Sequence, residues 1–152
     1  MLQVNEIFKN SVEQDSRTFK ARAALGTDIF EGIKSFTLTS TSNNSDHISI
    51  GGAVAASVQI KMEATAISLE GKEITLQIGV LSGEEYTYCD LGKFTPEKVD
   101  NDDGIISFCA YDRMYVKFSK AYVSKLEYPA DGKEVLKEIS NMSGVPLASS
   151  ID

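Results

Sequence analysis

The chain of 152 residues is 42% hydrophobic and 24% charged, and its 22 acidic and 15 basic side chains give a formal net charge of −7. That length and apolar content are enough for one compact domain with a substantial core, with or without a helical appendage. The acidic balance disfavours nucleic-acid binding, which depends on basic side chains that neutralise phosphates. Because the apolar runs fall far short of the roughly 20 residues that cross a bilayer, and the N-terminus lacks a signal-peptide pattern, we expect a soluble, intracellularly made protein with no membrane partner.

The N-terminal part of the chain predicts one short helix followed by strands. Over residues 2–13 the apolar positions do not alternate, which favours a helix. Residues 18–25 and 33–41 alternate between apolar and polar side chains and therefore predict strands, with turn residues between them. The side chains expected to face inward from these two strands are Phe19, Ala21, Ala23, Phe36 and Leu38.

The clearest alternation is in residues 53–64 and 72–80, which predict two half-buried antiparallel strands. Gly71 lies between them and suits a tight turn, so we expect the two strands to pair with each other as a hairpin. The expected core positions are Val54, Ala56, Val58, Ile60, Met62 and Ala64 in the first strand and Ile74, Leu76, Ile78 and Val80 in the second.

Two further strands are predicted over residues 85–99 and 104–112, joined by the acidic segment 100–104. With Gly104 at the sixth position of an EF-hand loop, Val99 and Ala110 would occupy the first and twelfth positions, where calcium needs carboxylates. The segment therefore predicts a hairpin turn rather than a calcium site.

The last strand meets a helical turn at Tyr111, Asp112, Arg113 and Met114. After this point the apolar residues Met114, Phe118 and Tyr122 follow a helical spacing. Asp112 is therefore expected to act as an acidic N-cap, which makes these four residues a structural corner rather than a catalytic pair.

A second, longer helix is predicted between residues 130 and 146. Asp131 and Glu134 have the spacing of a capping box, and Gly144 followed by Pro146 ends the helix. Its apolar stripe consists of Val135, Leu136, Ile139 and Met142. Together with about six antiparallel strands, these features predict a mainly β (α+β) protein, an antiparallel β-barrel that is closed or nearly so, with the C-terminal helix covering it.

The residue types that usually carry out catalysis or bind metals are scarce. His47 is the single histidine and lies in a polar loop, which leaves no histidine cluster for a metal and no positioned triad. Cys89 and Cys109 lack the spacing of a zinc or redox motif, and we expect two buried thiols that form no disulfide. The sequence therefore predicts no enzyme activity and no cofactor.

Three stretches, taken in order, resemble one family. They are HISIGGAVAASVQIKM, YCDLGKFTPEKV and IISFCAYDRMYVKFSKAYVSKLEYPADGKEVLKEISNMSGVPL, and together they span roughly residues 16–148. Their order and spacing are similar to the N-terminal region of phage and prophage tail hub proteins, which are also described as minor structural or tail-associated proteins.

The resemblance implies a structural role in a virion tail, after synthesis in the bacterial cytoplasm. Hubs of this kind cap the tail tube as trimers and use barrel domains of the tail-tube type. Their partners are the tube or distal tail protein on one side and a spike, fibre or lysin on the other. It also implies a barrel domain over residues 1–128, followed by a capped helix and tail, 129–152, that begins a further domain of a longer parent protein.

Two other functions fit parts of the sequence. A small β-barrel that binds carbohydrate or a surface ligand would expose aromatic side chains, for which Tyr86, Tyr88, Tyr115 and Tyr122 are candidates. The same four tyrosines are equally suited to contacts between subunits. An enzyme is the least supported of the three functions, because catalytic constellations are missing.

Overall fold

The computed structural model describes residues 4–40, 55–118, 122–145 and 147. These residues form a mainly β structure with three short helices. The elements are α1 (Glu6–Val12), β1 (Phe19–Leu25), β2 (Asp28–Phe30), β3 (Ile33–Ser40), β4 (Ala56–Glu63), β5 (Ile74–Ser82), β6 (Glu85–Asp102), β7 (Ile105–Tyr111), α2 (Arg113–Phe118) and α3 (Gly132–Ser143). The mainly β class with additional helices is therefore confirmed, and so is the existence of helices near both ends of the described chain.

All seven strands belong to one antiparallel sheet in the order β2-β1-β5-β6-β7-β4-β3. The 18-residue strand β6 joins its two halves, because its first part pairs with β5 and its second part with β7. The β6 ladder shifts register at Leu91 and again at Glu97. Such bulges bend and twist a strand, which lets the two halves of the sheet share one core.

The core consists of the apolar residues that alternate on the inner face of the strands. The buried members of the cluster are Ala23, Val58, Ile60, Met62, Leu69, Ile74, Leu76, Phe94, Ile106, Phe108 and Ala110. The inward faces predicted for β4 and β5 are thus confirmed at Val58, Ile60, Met62, Ile74, Leu76 and Val80. Leu69 is an addition, since it lies in the non-strand connection between β4 and β5.

The predicted hairpin between β4 and β5 is wrong. In the sheet order, β6 and β7 lie between these two strands, so they belong to opposite halves. Residues 64–73 form the connection, and Leu69 anchors it in the core. Alternation fixes which side chains face inward but leaves the partner strand undetermined, and Gly71 lies in a crossing loop rather than in a hairpin turn.

The predicted barrel, closed or nearly so, is also wrong: among the described strands, β2 and β3 lie at the two ends of the sheet and do not pair with each other. Phe19 was expected to face the core, yet it is 49% exposed. Strand β2 pairs only with residues 23–25 of β1, so within the described part of the chain the start of β1 has no strand on that side. α1 and α2 pack on strands of the sheet, whereas α3 makes no comparable contact with a described strand and does not cover it.

Some expectations fall on residues outside the described ranges, namely Leu2, His47, Val54 and Pro146. The turn between β6 and β7 is as predicted: Asp103 and Gly104 both have positive φ, 46° and 79°, which suits a tight two-residue hairpin turn. No helix within the described ranges is long and apolar enough to cross a membrane.

Candidate functional site

Asp112 connects the last strand to α2 and at the same time to the neighbouring strand β4. Its Oδ1 accepts a hydrogen bond from the backbone N–H of Tyr115 at 3.0 Å, which is the bond of an N-cap. Its Oδ2 accepts from the N–H of Ala56 at 2.8 Å, while its own N–H donates to the Ala56 carbonyl at 3.0 Å. One side chain therefore caps the helix and extends the pairing of β7 with β4.

Arg113 forms a bidentate ion pair with Glu73, which precedes β5. Its Nε and Nη2 donate to the two carboxylate oxygens at 2.7 and 2.9 Å. The hydrogen bond from Arg113 lowers the pKa of Glu73 and raises that of Arg113 itself. The pair joins α2 to the other half of the sheet. The two carboxylate oxygens of Glu73 and the Nε and Nη2 donors of Arg113 are bonded to each other.

The aromatic residues of the corner support its geometry. Tyr111 and Tyr115 stack with their ring centroids 4.2 Å apart. Met114 is half-buried, and Tyr115 is 40% exposed. The arrangement around Asp112 thus consists of packed aromatic rings and of hydrogen bonds to both carboxylate oxygens of Asp112.

A second cluster lies on the face of β1, β5 and β6 that is opposite to the core. It contains Tyr86 and Tyr88, whose ring centroids are 6.2 Å apart and tilted by 37°. The Tyr88 ring lies across Gly79, where an added Cβ would come within 2.7 Å of the ring carbon Cε1. The guanidinium carbon of Arg22 lies 3.5 Å from the centroid of the same ring. Tyr88 therefore contacts both Gly79 and Arg22 with its ring.

The polar side chains next to Tyr88 form a row across three strands. Arg22 Nε donates to Gln77 Oε1 at 2.6 Å, and Gln77 Nε2 donates in turn to Asp90 Oδ1. The strand register produces this row, because Arg22 is paired with Gln77 and Gln77 with Asp90. Nearby, Lys20 forms an ion pair with Glu31 at 2.7 Å.

Residues 122–145, which we call the C-terminal unit, contain a third cluster. The Glu138 carboxylate of α3 accepts hydrogen bonds from the Tyr122 hydroxyl, from Ser124 Oγ at 2.7 Å and from the Lys125 N–H at 2.7 Å. The bond with Tyr122 is the largest cause that lowers the pKa of Glu138, and it raises the pKa of Tyr122. Glu138 thereby fastens the segment before α3 to the helix.

The ends of α3 lie where the sequence places them. Asp131 Oδ1 accepts from the Lys133 N–H at 2.7 Å, and Gly144 takes a left-handed conformation with φ 69° at the C-terminus. Glu134 lies in the first turn, where a negative charge interacts favourably with the helix dipole.

The residue types that bind metals are His, Cys, Asp and Glu. No group of three or more of these residues within the described ranges is placed to hold a metal ion. Cys89 is buried as expected, but Cys109 is exposed, which corrects the expectation of two buried thiols. Cys109 lies between the core residues Phe108 and Ala110 on β7, so the strand pleat turns it outward.

Sequence reasoning missed the partners of the predicted residues. The sequence does not predict the contacts of Glu73, Arg22, Gln77 and Glu138, although each of them contacts a predicted residue or a neighbour of one. The signal that would have found Arg22 and Gln77 is their cross-strand pairing, which requires the register. Glu138 has no such signal, because its three donors lie 13 to 16 residues away beyond a non-helical segment.

Comparison of the chain with protein-family models, with curated proteins and with solved structures found no match in any of the three.

Proposed function

We propose that this chain is a structural component of a phage or prophage tail tip, a hub or baseplate protein that joins the tail tube to a spike or fibre. The resemblance of three ordered sequence stretches to tail hub proteins is the starting point. In this proposal the chain has no catalytic activity of its own, and its partners are other tail proteins.

The observation that carries the proposal is the open sheet. Among the described strands, β3 pairs on one side only, with β4, and β1 has no partner beside its first residues on one side. Between them lies a cavity of about 390 Å³, to which Phe19, Ile33 and Phe36 contribute. Open strand edges attract further strands, which is a hazard for an isolated domain and an asset for a ring of subunits.

In the assembled tail, neighbouring subunits would cover these edges and complete a barrel of the tail-tube type. In this proposal the protein forms the trimer that the resemblance implies. The corner at Asp112 fits this role, because its contacts fix the direction in which α2 leaves the sheet.

The alternative is a small β domain that binds carbohydrate or another surface ligand. It is less well supported, because a sugar stacks on an open aromatic face and the Tyr88 ring already has the Arg22 guanidinium 3.5 Å from its centroid and Gly79 close to its edge. Tyr115 is also stacked, on Tyr111.

The test is to sequence the source DNA on both sides of the reading frame and to purify tail particles from the same cells. We expect codons that continue past Asp152 into a second strand-rich region, beside a gene for a long helical tape-measure protein. Antibodies against the chain should label one end of the purified tails. A stop codon after Asp152 among unrelated genes, with no labelling of tails, would contradict the proposal and favour the binding module.

A further inference from the structure

The side chain of Arg22 is held in one orientation on the surface of the sheet. The ring of Tyr88 lies close to the backbone of Gly79, and the guanidinium carbon of Arg22 lies 3.5 Å from the centroid of the same ring. Contact between a guanidinium and an aromatic face is favourable, and it fixes the plane of the guanidinium. Arg22 is therefore oriented before any partner arrives.

Hydrogen bonding also holds the Arg22 side chain, at its Nε atom. Its Nε donates to Gln77, and Gln77 is held in turn by Asp90. These contacts use the ring-facing surface and Nε of Arg22, and within the described ranges the terminal nitrogens Nη1 and Nη2 have no hydrogen-bond partner. The contrast is Arg113, where Nε and Nη2 are both bonded to Glu73.

We propose that Arg22 Nη1 and Nη2 bind the carboxylate of a partner protein, a side chain of Asp or Glu. A planar fork of two N–H donors matches the two oxygens of a carboxylate, and a fixed fork loses little side-chain freedom when it binds.

The charges around Arg22 favour a single carboxylate over a more highly charged group. Glu31 and Asp90 lie close by, but the first is bonded to Lys20 and the second to Gln77. Counting Lys20 and Arg22 against these two carboxylates leaves a locally neutral surface. The two neighbouring acids repel a phosphate dianion more strongly than a singly charged carboxylate, for which the Arg22 fork is sufficient.

The composition of the surface favours a protein over a small molecule. Arg22, Tyr86 and Tyr88 are half-buried and Asp90 is exposed, so the group lies on the sheet rather than in an enclosed cavity. Small molecules bind in concave sites, whereas tyrosine and arginine are enriched where proteins meet. Ile29 of the neighbouring strand β2 is 52% exposed and pairs with Ala24, two residues from Arg22, so it adds apolar area to the same surface.

The experiment is an NMR titration of the protein with two blocked tripeptides, acetyl-Gly-Glu-Gly-amide and acetyl-Gly-Gln-Gly-amide. They have nearly the same shape and differ in one carboxylate. We expect saturable shifts with the Glu peptide at the Arg22 Nε–H, the Gln77 side-chain amide and the Tyr88 backbone, and no comparable shifts with the Gln peptide.

Two variants separate the fork from simple charge. Arg22→Lys keeps the charge but loses the fork, and it should weaken binding of the Glu peptide about tenfold. Arg113→Lys is the matched control and should bind as the unmodified protein does, because the Arg113 fork already holds Glu73. Tyr88→Leu removes the stacking layer and should also weaken binding, provided that its circular dichroism spectrum is unchanged.

Several outcomes would overturn the assignment. Absence of shifts at Arg22, equal shifts with both peptides, or an Arg22→Lys protein that titrates like the unmodified one would each remove the carboxylate site. Tighter binding of inorganic phosphate than of the Glu peptide would make the site a general anion site. Tighter binding of galacturonic acid would replace the protein partner by an acidic sugar. None of these results depends on whether the chain belongs to a tail.

Discussion

The bent sheet and the C-terminal unit are stabilised by different kinds of contact. In the sheet, apolar side chains from both halves meet in one buried cluster, with Val58 and Leu76 fully buried. In the C-terminal unit, the clearest contacts are the polar bonds to Glu138, and large apolar side chains remain exposed: Val123 by 72%, Tyr128 by 63%, Met142 by 53%, and Tyr122 and Leu136 by 41% each.

The sheet, with its buried core, determines the fold, and the C-terminal unit contributes little to it. Burial of apolar surface is the dominant favourable contribution to folding, and the sheet concentrates that burial in residues far apart in sequence. The C-terminal unit leaves large apolar side chains exposed and is held by hydrogen bonds to the half-buried carboxylate of Glu138, each of which contributes far less than the burial of the core. We therefore expect substitutions in the sheet to act on the whole molecule and those in the C-terminal unit to act locally.

The largest effect is expected from a charge on the inner face of β4. Val58→Glu places an unpaired carboxylate at a fully buried position, which costs several kcal/mol, a large part of the roughly 5–15 kcal/mol that stabilises a typical domain. We expect an insoluble or unfolded protein by circular dichroism. Gln59→Glu is the matched control, since Gln59 is the next residue and faces outward. A folded, soluble Val58→Glu protein would show that the inner face is misassigned.

A substitution at Gly79 tests whether the outer layer of the sheet also contributes to the stability of the whole. Gly79→Ala forces the Tyr88 ring away from the strand, and overpacking of this kind lowers stability by roughly 1–3 kcal/mol. The quantity to measure is the free energy of unfolding in urea. The double variant Gly79→Ala, Tyr88→Ala should lose less free energy of unfolding than the sum of the two single variants, because without the ring the added methyl group has space. Simple additivity of the two changes would contradict the layered arrangement.

Asp112 lies between the two regions, and its removal should have an intermediate effect. Asp112→Ala removes the helix cap at Tyr115 and leaves the N–H of Ala56 without its side-chain acceptor, so we expect a loss of about 2 kcal/mol in the free energy of unfolding. Asp112→Asn keeps an acceptor oxygen and should lose less. If Asp112→Ala and Asp112→Asn lower the free energy of unfolding equally, the hydrogen bonds of Asp112 do not account for its stabilising effect.

The same contrast explains what the sequence could predict. Alternation and caps are local signals, and they correctly placed the buried faces of β4 and β5, the Asp103–Gly104 turn and the ends of α3. Strand pairing is not local, because a face can be paired with any strand of matching pattern. The hairpin expected between β4 and β5 failed for this reason.

The candidate sites divide in the same way. Tyr86, Tyr88 and Asp112 could be selected from the sequence by residue type and position. Their partners could not be selected in this way. Arg22 contacts Tyr88 only because of how β1, β5 and β6 are aligned, and Glu138 contacts Tyr122 across a loop. The open sheet was missed because strand patterns alone do not show whether the two outermost strands meet.

The smallest effect on the whole molecule is expected from Glu138→Gln. A glutamine can satisfy only part of the three bonds that the carboxylate accepts, so the segment around Lys125 should open more often while the sheet keeps its melting temperature. Hydrogen exchange at the Lys125 amide measures the opening. A parallel drop in melting temperature would show that the C-terminal unit and the sheet unfold together.

The hydrogen bonds between Glu138 and the segment before α3 should depend on pH in a defined direction. These hydrogen bonds, first of all that of Tyr122, lower the pKa of Glu138 below the ordinary value of 4.5. A carboxyl group with a lowered pKa in the folded state stabilises that state above its ordinary pKa and loses the contribution as the pH falls through the lowered value. Exchange at Lys125, corrected for the intrinsic pH dependence, should therefore be slow at neutral pH and accelerate only below about pH 4.5. In the Glu138→Gln protein, exchange at Lys125 should be fast at neutral and at acidic pH, because no carboxylate remains to be protonated at this position. If acid still accelerates exchange in this variant, another acidic group controls the opening.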